Sequence, residues 1–115
     1  MLAANLLDDG ERLWLIDWDY AGFNSPLFDL ANLSSNNGFD DELDAALLAG
    51  YFGATPDHAG QRAFAAMKCA SLLRETLWGG YSELFSQIDF DYGGYTRDYL
   101  GRLDQAWAAF AADGR

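Results

Sequence analysis

The sequence predicts a mainly α fold with a small β-hairpin near its start. Two short apolar runs, Asn5–Leu7 and Arg12–Trp18, flank Asp8-Asp9-Gly10-Glu11, and an Asp-Gly pair between such runs is a strong short-range hairpin signal. From Leu27 onward apolar residues recur at helical spacing, and nothing after Leu30 reads as a strand. Half of the 115 residues are apolar, enough to build a real core.

Each element follows in order. The second strand is expected to end near Asp17. Glycine, asparagine, serine and proline between Ala21 and Pro26 mark a loop, after which Leu27, Leu30 and Ala31 give a short helical face. Ser34-Ser35-Asn36-Asn37-Gly38 should break that helix. Asp40 or Asp41 can cap the next one, with Leu43, Leu47 and Tyr51 on one face and Gly53 as its stop. Thr55-Pro56-Asp57 reads as a helix start. The long helix behind it has only a narrow polar stripe, Gln61, Lys68, Ser71 and Glu75, and so belongs in the middle of the domain. Phe64, Met67, Cys69, Leu72, Leu73 and Leu77 fill the remainder. Gly79 and Gly80 are expected to interrupt it. A last helix runs from about Tyr95 to Ala112, with Tyr99, Leu103, Ala106, Trp107 and Phe110 inward. The whole is one domain, 1–115, with the hairpin over 5–18 and a helical region over 26–112.

Eighteen acids against seven bases leave a formal charge of −11. Such a chain repels nucleic acid and anionic membrane and favours a cationic ligand. A polyanion such as ATP would need a divalent metal or bases from elsewhere. Cys69 has no partner, which points to a reducing, cytoplasmic setting. No stretch approaches the roughly 20 apolar residues of a spanning helix, so no membrane insertion is expected.

Magnesium takes oxygen ligands in a nearly octahedral set, usually one or two carboxylates with phosphate oxygens and water. Asp17, at a strand tip, can hold such an ion. Asn5 is the natural second ligand, because the hairpin returns the end of its second strand to the start of its first. Kinases hold their two metal ions with an aspartate and an asparagine. Here the sequence resembles a family. Residues 2–32, LAANLLDDGERLWLIDWDYAGFNSPLFDLAN, are similar to the catalytic core of choline/ethanolamine kinases, within the aminoglycoside phosphotransferase and protein-kinase-like group. The resemblance implies a C-terminal lobe fragment of a protein-kinase-like α+β fold. It also implies an ATP-dependent phosphotransferase, with magnesium held by Asn5 and Asp17 and the catalytic loop supported by Asp29 of FDLAN. The segment LLRETLWGGYSELFSQIDFDYGGYTRDYL resembles the family's acceptor-binding aromatic cluster, which places Trp78, Tyr81, Phe90, Tyr92 and Tyr95 in a substrate site joined by Tyr20. Aromatic faces suit a quaternary ammonium ion, each contributing roughly 0.5–2 kcal/mol once desolvated.

Three departures accompany the resemblance. The family often carries a Glu-Trp pair shortly after FDxxN, where this sequence has Asn36 and Asn37; choline, ethanolamine, thiamine and aminosugars all stay open as acceptors. Tyr81 replaces a second Trp. Counting back from Asn5, the family's catalytic aspartate falls before Met1, as do its histidine, its nucleotide-binding lobe and its phosphate-holding lysine. The isolated chain is therefore expected to be inactive, with a missing N-terminal half or self-association completing it.

Read without the resemblance, Asp17 and Asn5 are a strand-end acid and a turn asparagine, Asp29 is a helix cap, and Trp78 and Tyr81 are packing residues. Trp14, Trp18, Trp107 and Phe110 read as core or packing residues. Asp19 reads as a rim residue, His58 as a surface residue, and Arg74 and Glu75 as solvated or paired. Asp89-x-Asp91 with Gly94 begins like a calcium loop, but Leu100 stands where a bidentate glutamate is required. A non-catalytic acidic interaction domain is the rival reading. A haloacid-dehalogenase-type phosphatase, with Asp17 as nucleophile and Asp19 as acid, is a weaker one, since that fold needs a parallel sheet.

Overall fold

The computed structural model describes residues 1–17 and 22–114. Trp18, Asp19 and Tyr20 lie outside the described residues, so the expectations for them are not followed further.

A 3-10 turn at Ala3–Asn5 leads into an antiparallel hairpin of β1 (Leu6–Asp8) and β2 (Leu13–Leu15), with Leu6 opposite Leu15 and Leu7 opposite Trp14. The strands are shorter than the hydrophobic pattern suggests, and Asn5 ends the turn instead of starting β1. The connection has four residues because Asp9 folds it back. Its carboxylate accepts from the Glu11 and Arg12 amides at 2.9 Å and from the Trp14 indole at 2.7 Å. Gly10 supplies the left-handed backbone at φ 87°. Trp14, expected in the core, is half exposed and spends its N–H on Asp9.

Helix α1 spans Pro26–Asn37, with proline in its first turn and Gly38 ending it at φ 68°. It runs through the serine-asparagine stretch that was expected to break it. Packing overrides propensity there: Ser34 donates to Asp44 at 2.5 Å, and Ser35 lies 2.9 Å from Ser71. Helix α2 is Asp41–Phe52, capped by Asp40, which accepts from the Leu43 amide at 2.9 Å. Its inward face is Asp44 and Leu48, whereas Leu43 and Tyr51 are exposed, the reverse of the expected face.

Helix α3 spans His58–Phe85 without interruption at Gly79 or Gly80, and Asp57 caps it by accepting from the Gly60 amide at 2.8 Å. Helix α4 spans Tyr92–Asp113. Asp91 accepts from the Gly94 amide at 2.8 Å, so the stretch that begins like a calcium loop is a helix cap. Gly79 is buried where α3 meets α4; a Cβ there would lie 2.6 Å from the Thr96 hydroxyl and 2.8 Å from the Tyr95 ring. Ala31, Leu48 and Phe64 form the centre of the core, with Leu27, Leu30 and Met67 around them. Trp107, expected inward, is more than half exposed.

The narrow polar stripe of α3 faces inward. Lys68 pairs with Asp44, Ser71 accepts from the Asn32 amide at 2.9 Å, and Glu75 accepts from Tyr95 at 2.8 Å. The expected inward residues Leu73 and Leu77 are exposed. Together with Tyr81, Leu84 and Ile88 they form an apolar stripe on the outside.

Candidate functional site

Asn5 and Asp17 converge. The hairpin carries Asp17 back to the end of the 3-10 turn, where the Ile16 amide donates to the Asn5 carbonyl at 3.0 Å. The Asn5 amide nitrogen then lies 3.4 Å from Asp17 Oδ2. Asp17 has φ 64°, and it is the non-glycine residue with positive φ among the described residues. That conformation turns its carboxylate toward Asn5 instead of continuing β2, and strain of this kind concentrates at functional positions.

Both side chains offer hard oxygen, which fits magnesium. Two adjacent ligands of an octahedral magnesium ion stand about 2.9 Å apart, so the pair has suitable spacing once the Asn5 amide turns its oxygen toward Asp17. Among the described residues no group of three or more histidine, cysteine, aspartate or glutamate side chains could hold a metal by itself. The remaining ligands would be phosphate and water oxygens.

The approach to Asn5 is held by a residue that the sequence reading noted only as a departure from the family pattern. Asn37, at the end of α1, accepts from the Ala3 amide at 2.8 Å and donates to the Met1 carbonyl at 3.3 Å. An asparagine near a helix end, 34 residues away, gives no local signal for such a role. Asp29 lies exposed in the first turn of α1, where an acid complements the helix dipole. It is not the cap, since Ser25 holds that position.

Of the six sequence-predicted aromatic residues, Tyr20 lies outside the described residues and four of the other five gather at the junction of α3 and α4. Trp78 packs edge-on against Tyr92 at 5.7 Å and Tyr95 at 5.4 Å, and Phe90 meets the same two tyrosines at 4.9 and 6.1 Å. Tyr92 is buried while Trp78 and Phe90 are about half exposed, so the group has a rigid base and open faces. Tyr81 is apart, paired with Phe85 at 4.6 Å on the outer side of α3. A helix places i+3 only partly under i, and position 81 turns away from the face that Trp78 shares with α4.

Glu75 and Tyr99 complete this group and were not assigned to it from the sequence. Tyr99 stacks on Tyr95 at 4.4 Å, and its hydroxyl lies 3.4 Å from Asn36 Oδ1. Of the two readings for Arg74 and Glu75, solvated or paired, the structure shows the pair, with Arg74 3.4 Å away and the Glu75 side chain only 12% exposed. Burial and the hydrogen bond donated to Glu75 push the Tyr95 phenol far above its ordinary pKa. The start of the chain and the aromatic group are linked through the end of α1: Asn37 holds Met1 and Ala3, and its neighbour Asn36 lies 3.4 Å from the hydroxyl of Tyr99, which stacks on Tyr95. From Met1 to Asn5 a fully extended chain covers at most about 14 Å.

A cleft of about 600 Å³ between α2, α3 and α4 lies away from this region. Its bases are already paired, Lys68 with Asp44 and both Arg62 and His58 with Asp113.

A hairpin delivering an amide and a carboxylate to one point, backed by four helices, is the C-terminal-lobe arrangement of a protein-kinase-like phosphotransferase. The sheet among the described residues is a two-stranded antiparallel hairpin, unlike the parallel sheet that a dehalogenase-type phosphatase needs. The model of the phosphotransferase enzyme family (APH) matches residues 2–64, more than half of the sequence, and the chain belongs to that family. A choline/ethanolamine kinase family protein from Mesorhizobium loti superposes with a TM-score of 0.78 at 35% identity, over 90% of this chain and 34% of that one. Protein LicA of Haemophilus influenzae is 29% identical over 110 residues, which covers 93% of this chain and 40% of that protein. A second LicA sequence from the same species shows the same identity over 32% of its length. The chain thus spans two-fifths or less of each of these relatives. No helix among the described residues is long and apolar enough to cross a membrane.

Proposed function

We propose that the chain is the metal- and acceptor-binding part of an ATP-dependent kinase acting on the hydroxyl of a small cationic alcohol such as choline or ethanolamine. The observation that carries this reading is the approach of Asn5 to Asp17 at 3.4 Å. It is supported by the open aromatic group at the junction of α3 and α4 and by the choline/ethanolamine kinase family membership of the Mesorhizobium loti protein.

In this reading Asn5 and Asp17 hold magnesium, which when bound neutralises charge on the phosphates of ATP. The hairpin fixes the two side chains, and Asn37 fixes the segment before them. Asp29 supports the loop. Trp78, Phe90, Tyr92 and Tyr95 receive the cationic end of the acceptor and so set where its hydroxyl points. Phosphoryl transfer depends mainly on such positioning and on electrostatic stabilisation. The family's catalytic aspartate and nucleotide-binding lobe match no residue of this sequence, so the chain alone should not turn over ATP and choline. A buried, unpaired Cys69 fits a reducing cytoplasm.

Thermal unfolding with and without magnesium and ATP tests the metal pair. At a ligand concentration ten times Kd the native state gains about 1.4 kcal/mol, which shifts the Tm by several degrees. Asp17→Asn should abolish the shift. Equal shifts in both chains would remove Asp17 from the metal site.

A second reading, an acidic helical interaction domain, is favoured by one feature, the exposed stripe of Leu73, Leu77, Tyr81, Leu84 and Ile88.

A further inference from the structure

The wall of the aromatic group contains a carboxylate whose charge is incompletely compensated. Glu75 stands one turn before Trp78 on α3, and its side chain is 12% exposed. Removing a carboxylate from water costs several kcal/mol unless partners replace the lost hydration. Its direct partners are one neutral phenol, the Tyr95 hydroxyl at 2.8 Å, and one arginine, Arg74 at 3.4 Å; the Met1 amino group adds a weaker positive influence without a direct contact. Consecutive residues on a helix do not face each other, so Arg74 reaches Glu75 from the side. Its distance exceeds the roughly 2.7–2.9 Å of a close charge-assisted hydrogen bond, and its side chain is 47% exposed. Meanwhile Tyr95 is at once the residue that grips Glu75 and a ring packed against Trp78 and Phe90, so the carboxylate is anchored to the aromatic group itself. A neutral ligand would gain aromatic contact there and nothing from the buried anion, whereas a cation would gain both.

We propose that Glu75 is the residue that makes this aromatic face selective for positive charge, that Tyr95 positions it, and that Arg74 is the counter-ion an incoming cation displaces. The inference rests on the reading that the aromatic group receives the acceptor. It adds a specificity-determining carboxylate supplied by α3.

Calorimetric titration of the full chain tests it, using choline and its uncharged isostere 3,3-dimethylbutan-1-ol. The wild type should prefer choline by at least about tenfold. Glu75→Gln should bind the two within about threefold while keeping its affinity for the neutral alcohol. Arg74→Gln should tighten choline by about threefold or more and leave the alcohol unchanged. An undiminished preference in Glu75→Gln overturns the proposal, as does unchanged choline affinity in Arg74→Gln. If Glu75→Gln fails to fold by circular dichroism, the Arg74→Gln comparison decides. Equal binding of both compounds to the wild type defeats charge selectivity alone; binding of neither defeats the acceptor reading and this inference with it.

Discussion

Asp17 holds a left-handed backbone at φ 64°, a conformation that costs most residues of order 1–3 kcal/mol and aspartate less. Glycine carries no such cost, so Asp17→Gly should raise stability in metal-free buffer by up to about 1 kcal/mol, read as a shift in the urea midpoint. A loss of stability would mean that the hydrogen bond to Asn5 outweighs the strain. Tyr95 makes the second residue-scale prediction. Its folded pKa lies above the unfolded value, so above pH 10 or so the native state binds more protons than the unfolded chain and stability falls as pH rises. The contribution is complete below that value. Tyr95→Phe should flatten the alkaline limb of the stability profile, and an unchanged slope would show that the Tyr95–Glu75 bond is not coupled to folding. The approach of Asn5 to Asp17 was legible because a hairpin returns the end of its second strand to the start of its first, which survives errors in strand length; a metal role for the pair came from the resemblance alone. Asn37 and Glu75 were not legible, since nothing local marks a polar side chain whose partner lies 20 or more residues away.

At the scale of elements, α3 decides how the aromatic group is built. Gly79 lets α4 approach closely enough for Tyr95 to sit beside Trp78. Gly79→Ala gains up to about 1 kcal/mol of helix propensity but forces a methyl into Tyr95 and Thr96, an overpacking that costs about 1–3 kcal/mol. The net should be destabilising, and it should be accompanied by a change in near-ultraviolet dichroism. Gly80, with open space at its Cβ, is the control: Gly80→Ala should stabilise by about 0.5–1 kcal/mol. If both substitutions stabilise, the helices have room to separate. The existence and order of the helices were readable from periodicity, and so were Phe64, Met67, Cys69 and Leu72 of the inward face of α3, but not its polar members. A polar stripe normally marks the wet side of a helix. Here Lys68, Ser71 and Glu75 meet Asp44, Asn32 and Tyr95, polar partners on other elements, and Leu73 and Leu77 are left outside. The same partnership carries α1 through serines and asparagines that propensity alone would end.

For the whole molecule, that inversion leaves Leu77 and Leu84 at 64% and 77% exposure on the outer face. A stripe of this length is normally covered. The chain should therefore self-associate in sedimentation runs as concentration rises, and Leu77→Lys with Leu84→Lys should return it to a monomer. A wild-type monomer at all concentrations would leave that face without a copy-to-copy role. The overall architecture was the most legible feature, because hairpin signal, helix signals and acidic balance agree. The outer stripe was missed because hydrophobicity alone does not say which of two faces is inside.

Asn37's grip on Met1 and Ala3 has a practical corollary. Whatever peptide is fused ahead of Met1 emerges at the end of α1, where Asn36 meets Tyr99 of the aromatic group, so a polyhistidine tag there would bring its imidazoles toward those rings and mimic the cations meant to be assayed. A tag joined after Asp113 leaves the molecule near His58, which is 3.3 Å from Asp113 and about 25 Å along α3 from Glu75, clear of the surface under study.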